Sequence, residues 1–264
     1  MIRNLRAATA GLVSLAAAGS GVLLTPAQAV PSGSMTLTVS AAPGTAVRGA
    51  GQFDISGDST VDISLKQVDG GRVVTVPGPS SALPSAIQFP SYTDSATYPR
   101  ATLALTPATG QALSPESSNF EYGAVFRLDE TSSGNTRDNG DNLFQRGLYG
   151  EGSQFKLQLD NRYPSCLVRG SAGRVVVRSQ VRVTPDSWYR VTCSRTDFTV
   201  TVAVTSYGGG DTESTSASGQ TGMLTFDASR PASIGGKLSP SGSIAANASD
   251  QFNGAVAKVW IKRL

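Results

Sequence analysis

An all-β chain of a dozen or so short antiparallel strands is what this sequence predicts, and three observations carry the prediction. Apolar and polar residues alternate with period two in run after run, most plainly in Phe155–Asp160 and Phe198–Val204. Glycine, at 29 of 264 residues, and proline, at 14, separate the runs as turn residues. Outside Met1–Ala29, no stretch repeats its apolar positions at helical spacing.

Taken in order, Met1–Ala29 has a basic start (Arg3, Arg6), an apolar middle from about Ala7 to Leu24 and a small-residue end at Ala27-Gln28-Ala29. This is the pattern of a secretory signal peptide cleaved after Ala29. No later apolar run is long enough to span a bilayer, so the product is expected outside the cell. The 22 Lys and Arg outnumber the 19 Asp and Glu, but removal of Arg3 and Arg6 with the leader leaves 20 against 19. A nearly neutral mature chain without a basic, aromatic-interleaved run gives no reason to expect nucleic acid.

Residues 30–52 are rich in Ser, Gly, Ala, Thr and Pro and read as a flexible linker or arm, in which only Met35–Val39 alternates and could form one edge strand. The folded domain is placed at 53–264. Val61–Lys66 and Val73–Val76, separated by Asp69-Gly70-Gly71, read as a hairpin. Phe120–Asp129 puts Phe120, Tyr122, Ala124, Phe126 and Leu128 on one face, a strip suited to filling the space between two sheets. Arg174–Thr184 reads as one strand with Val175, Val177, Val181 and Val183 inward. Ser206–Gly222 is polar throughout and reads as a surface loop. The expected core includes Phe126, Leu157, Val177, Val191, Val202 and Ile234.

Cys166 and Cys193 each fall in a strand-like segment, Pro164–Gly170 and Trp188–Cys193. Successive strands of an antiparallel meander are usually neighbours, so the sulfurs could meet in a disulfide worth about 3 kcal/mol. Two buried thiols are the alternative, and export to an oxidising compartment favours the bridge.

The series Asn142–Gly147, Lys156–Leu159, Pro164-Ser165-Cys166, Arg169-Gly170, Trp188–Cys193, Ile234-Gly235-Gly236 and Phe252-Asn253-Gly254 resembles secreted bacterial laminin G-like domains of the concanavalin A-like lectin/glucanase superfamily. The resemblance covers roughly Phe53–Leu264 and implies an antiparallel two-sheet jelly-roll sandwich. Such sandwiches serve as lectins, adhesion modules, glycosidases and lyases, so the fold alone does not choose a function.

The chain contains no histidine, which removes Ser-His-Asp triads, Cys-His pairs and the usual zinc sites. Glycosidases of the resembled superfamily place acidic residues at alternate positions of one strand. No such run exists here: Asp129 and Glu130 are adjacent, and Asp211 and Glu213 fall in the segment read as a loop. Two groups remain as candidates. Arg174, Arg178 and Arg182 share the outer face of one strand, spaced at about 13 Å per four residues, and could follow anionic groups along an acidic polysaccharide; a plain solvated face is the alternative. Asp138, Asp141 and Asn142 offer oxygen ligands for calcium in a Gly-containing turn, which could equally be an ordinary Asx turn. The leading functional expectation is a secreted, non-catalytic module that binds carbohydrate, such as extracellular or cell-wall polysaccharide, or another surface ligand. A polysaccharide hydrolase or lyase with an unrecognised site and a purely structural extracellular module are the alternatives.

Overall fold

A computed structural model describes residues 36–41, 53–57, 60–95, 97–108, 112–131, 140–246 and 249–264. The expected leader and most of the expected arm lie outside these residues. The described elements are strands: β1 (Thr36–Ala41), β2 (Phe53–Gly57), β3 (Val61–Val68), β4 (Val74–Ser80), β5 (Leu83–Gln88), β6 (Arg100–Pro107), β7 (Phe120–Leu128) and β8 (Asp141–Arg146). The second half of the chain adds β9 (Gln154–Asp160), β10 (Tyr163–Gly170), β11 (Gly173–Arg178), β12 (Trp188–Thr196), β13 (Thr199–Ser206), β14 (Thr212–Ser218), β15 (Ala232–Ile234) and β16 (Gly254–Arg263).

All the pairings are antiparallel, and they form two sheets. The nine-stranded sheet runs β14-β13-β12-β7-β16-β1-β2, with the β4–β5 pair joined to β16 through β5. The seven-stranded sheet runs β11-β10-β9-β8-β15-β6-β3. This is the expected sandwich.

Its core is filled by the inward alternation of both sheets. Phe120, Tyr122 and Phe126 of β7 are fully buried. Their rings meet Phe155 of β9, Phe252 and Tyr189 at centroid distances of 5.1 to 6.5 Å, in mostly tilted or edge-on arrangements. Each such ring contributes roughly 1.5 to 3 kcal/mol by leaving water. Tyr122 also carries a polar tip, and its hydroxyl donates to the Leu167 carbonyl at 2.9 Å. Burial pushes that phenol well above its ordinary range, so it stays neutral. Phe126, Leu157, Val177, Val191, Val202 and Ile234 are all buried, as expected.

Cys166 and Cys193 form a disulfide with a Cα–Cα distance of 5.7 Å. The bond joins β10 of one sheet to β12 of the other, so it staples the sandwich across its core rather than along a meander. The pairing expected from the sequence is right and its geometry is different.

Three expectations are corrected by the sheet order. Thr36–Ala41 is a strand between β16 and β2, with Val39 opposite Val259 and buried, so the strand expected at an edge lies inside the sheet. Asp69-Gly70 does form a turn, with both residues at positive φ. Yet β3 pairs with β6, while β4 pairs with β5 in the other sheet, so the expected hairpin is a crossover between sheets. The polar segment Ser206–Gly222 is only partly a loop: Thr212–Ser218 is β14, paired with β13 along its whole length.

Candidate functional site

The expected arginine row is partly assembled. Arg174 and Arg178 lie on β11, the edge of the seven-stranded sheet, where Val175 and Val177 point inward and Arg174, Val176 and Arg178 are exposed. The strand stops there because Ser179 turns the chain: its hydroxyl accepts the Val181 N–H at 2.9 Å. Arg182 is exposed but lies past the end of β11, next to Val183, whose N–H donates to the Arg162 carbonyl.

The register adds residues that sequence reasoning missed. Arg169 of β10 sits opposite Arg174. Both guanidinium groups lie over the Tyr149 ring, at 4.9 Å for Arg169 and 5.4 Å for Arg174. Arg169 also donates to the Tyr149 carbonyl, which fixes the turn between β8 and β9 against β10. Further along, Arg178 lies 4.3 Å from the centroid of Tyr163. The Tyr149 side chain is among the most open in the molecule, with the residue 70 % exposed.

This row is cationic with little to neutralise it. Arg178 reaches the Asp160 carboxylate at 3.8 Å, but both side chains are about half exposed, a pair worth about 0 to 1 kcal/mol. Among the described residues, no carboxylate lies within ion-pairing distance of Arg169 or Arg174. Stacking on tyrosine holds the guanidinium planes without consuming their charge.

The neighbouring end of the sandwich is built around two other arginines, both buried. Arg146 of β8 stacks 4.6 Å over Phe226 and donates to the carbonyls of Ala112, Asp227 and Arg230. Arg195 of β12 lies 4.9 Å over Phe120 and donates to the carbonyls of Glu116, Ser118 and Gly222. Burial pushes Arg146 down to about 9 and Arg195 to about 10, which leaves both charged at neutral pH. Together they tie the segments before β7 and after β14 across this end.

Two clefts open beside those segments. One, of about 330 Å³, is lined by Glu151, Ser153, Ser171, Thr225, Asp227 and Arg230. The other, of about 460 Å³, lies beneath Phe198 and Met223, with Asn119 and Asp197 on its wall. The first holds two carboxylates, which is the minimum for glycoside hydrolysis. Neither suits an acid role: Glu151 pairs with Arg230, and hydrogen bonds from the Ser229 hydroxyl and N–H hold Asp227 below the usual carboxylate range. A general acid needs the opposite shift.

Of the expected calcium ligands, the two described ones, Asp141 and Asn142, are not brought together. Asp138 lies outside the described residues. Asp141 and Asn142 are consecutive on β8 and so face opposite sides of the sheet. The Asp141 carboxylate accepts from the Asn253 N–H at 3.4 Å, whereas the Asn142 amide donates to Gln145 at 2.7 Å. Among the described residues no group of three or more His, Cys, Asp or Glu is placed to hold a metal.

Residues 136–264 match the Laminin G domain family. No curated protein sequence matches the chain. Among solved structures, the fold is similar to a protein of unknown function from Shewanella oneidensis, at 12 % identity over 87 % of this chain and 86 % of that one, with a TM-score of 0.53. It is also similar to the binding domain of Paraclostridial Mosquitocidal Protein 1, at 10 % identity, 86 % of this chain, 48 % of that chain and a TM-score of 0.51. The binding domain of botulinum neurotoxin serotype G gives 10 % identity, 86 % of this chain, 46 % of that chain and a TM-score of 0.50. This chain therefore spans about half the length of the two toxin domains. Likeness at such identity speaks of fold alone, and with the family match over residues 136–264 it leads to one conclusion: the chain carries a laminin G-like, two-sheet jelly-roll fold.

Proposed function

We propose that this protein is an extracellular, non-catalytic binding module that recognises an anionic polysaccharide through the outer face of β10 and β11. The observation that carries the reading is the row of Arg169, Arg174 and Arg178 stacked on Tyr149 and Tyr163. The exposed Tyr149 ring offers an apolar surface to a sugar ring, while the guanidinium forks can take carboxylate or sulfate groups two bonds at a time. The spacing of Arg174 and Arg178, about 13 Å, suits charges repeated along a polymer rather than one small anion. Export through a cleaved Met1–Ala29 leader belongs to the same proposal, and the Cys166–Cys193 disulfide fits that compartment. Two structures of similar fold are named as binding domains of toxins, which agrees with a recognition role without naming a ligand.

The test is retention on immobilised sulfated or uronic-acid polysaccharide against a neutral glucan, in salt raised from about 0.05 to about 0.5 M. Retention on the acidic polymers alone, falling with salt and lost in Arg174→Ala/Arg178→Ala, is expected. Equal retention on the neutral polymer would overturn the anionic reading. Release of reducing ends in a parallel incubation would replace the binding role with a hydrolytic one.

A further inference from the structure

Strand β14 closes one side of the nine-stranded sheet, and among the described residues nothing pairs with its open edge. Thr212, Ser214, Ser216 and Ser218 are exposed and stand on the outer face. Three of them bond to their β13 partners through hydroxyl groups: Thr212 with Thr205 at 2.7 Å, Ser216 with Thr201 at 2.8 Å and Ser218 with Thr199 at 3.3 Å. The strand is thus held straight in a regular register, with no shift along the β13 pairing.

The backbone parity shows which groups remain unused. Gly219 donates its N–H to the Phe198 carbonyl at 2.7 Å. Continuing the antiparallel alternation, the residues bonded to β13 are Ala217, Thr215 and Glu213. Ser218, Ser216, Ser214 and Thr212 therefore aim their N–H and C=O groups away from the sheet. Natural edges are usually blunted by Lys, Arg, Pro or a bulge, because such a row is a template for another strand. β14 has none of these.

The two edges of the seven-stranded sheet differ. β11 carries Arg174 and Arg178, which would meet each other if the strand paired with a second copy centred on Val176. β3 carries Asp62 and Lys66. Centred on Thr215, two copies of β14 would instead set Thr212 against Ser218, Glu213 against Ala217 and Ser214 against Ser216. The one charge meets a methyl group, and the pairs Ser214/Ser216 and Thr212/Ser218 are those whose backbone groups are unused.

We infer that β14 is a self-association edge, through which two copies of this chain pair antiparallel about a two-fold axis at Thr215. The two nine-stranded sheets become one continuous sheet, an isologous interface in which each copy supplies the same row of donors and acceptors. The inference stands apart from the polysaccharide reading, since it uses none of the arginines.

The test is the molar mass of the purified protein by sedimentation equilibrium from about 1 to about 300 μM, because a dimer of this kind must follow mass action. The expected result is a monomer–dimer equilibrium. Ser216→Pro removes an N–H that β13 does not use, a position where an edge strand tolerates proline. It is expected to weaken association at least about tenfold while the thermal melt stays within a few degrees of wild type. Ser214→Lys/Ser216→Lys sets lysine against lysine, and its loss of association is expected to be larger at low salt. If Ser216→Pro fails to fold, the lysine pair decides. A wild-type monomer throughout the range, whether or not it takes up an extended peptide, overturns the inference. So does a dimer that survives both the folded proline variant and the lysine pair.

Discussion

Arg146 and Arg174 belong to the same seven-stranded sheet, yet one is wholly buried and the other open to solvent. Arg146 spends its guanidinium on three backbone carbonyls and the face of Phe226. Arg174 meets only the face of Tyr149 among the contacts described. The stacking is the same and the hydrogen bonding is opposite. An arginine that saturates carbonyls fixes chain segments, whereas Arg174 has no carbonyl partner among the contacts described. Arg178 stands between the two, since it rests on Tyr163 yet also donates to the Asp160 carbonyl at 3.2 Å.

The sharpest way to break this comparison is Arg146→Ala. It leaves the carbonyls of Ala112, Asp227 and Arg230 without their donor in a buried site, and the loss is expected at about 3 to 5 kcal/mol by urea unfolding. A loss below about 1 kcal/mol would mean that water replaces the guanidinium and that the end of the sandwich does not depend on it. The pH dependence has a definite sign. Arg146 is held down to about 9, well below the ordinary arginine range, chiefly by burial and then by the charge of Arg230. Between that value and the ordinary range the unfolded chain binds more protons, so this group's burial cost is present below pH 9 and fades as pH rises.

Next in size is the disulfide. The two cysteines are 27 residues apart and each is buried, so Cys166→Ala/Cys193→Ala is expected to cost about 3 kcal/mol through the freed unfolded chain and the lost packing between β10 and β12. No thiol should react with maleimide in the denatured, unreduced protein. Two labelled thiols would place the chain in a reducing compartment and remove one support of the extracellular reading.

The exposed arm of the comparison gives a smaller stability effect and a large functional one. Arg174→Ala/Arg178→Ala is expected to change unfolding free energy by less than about 0.5 kcal/mol, since the side chains lie on an open edge. Binding to an acidic polymer should fall at least about tenfold, as for lost charge-assisted contacts. Tyr149→Ala should weaken binding as well if the ring shapes the guanidinium plane. Unchanged binding in both variants would reduce the row to a solvated face.

How much of this was legible in the sequence depends on contrast between neighbours. β7, β9 and β13 alternate bulky apolar with polar residues, and their inward faces are the expected ones. In β8 every residue is buried, Gln145 and Arg146 included, so alternation carries no signal there and the structural arginine was invisible. β14 is hidden for the opposite reason: its residues are nearly all small and polar on both faces, and a strand without apolar contrast reads as loop. The Asp69-Gly70 turn was read correctly, but a turn fixes where the chain bends and not which strand receives it. Tyr149 and Arg169 could be joined to Arg174 only through the β10–β11 register, which depends on the whole sheet. A weaker clue lay in the alternation of β10 itself, which already put Arg169 outward.

The smallest expected effect probes a buried cation that is neither saturated by carbonyls nor left open. Lys156 of β9 and Lys237 share the Asp250 carboxylate at 3.4 and 3.1 Å, and the Lys156 side chain is only 14 % exposed. Its affinity for a proton is lowered, first by burial and also by the charge of Lys237, with Asp250 opposing. A base lowered on folding costs stability while protonated in both states. As pH rises from the lowered value toward the ordinary 10.5, the unfolded chain holds more protons and the folded state gains. Lys156→Met leaves Asp250 paired with Lys237 and keeps the length of the side chain, so stability at neutral pH should stay within about 1 kcal/mol of wild type or exceed it. The rise of stability on the alkaline side should be flatter in the variant than in the wild type. A loss above about 2 kcal/mol would show that the second lysine is a structural requirement of the Asp250 turn, and Lys156 would join Arg146 among the cations that hold the chain in place.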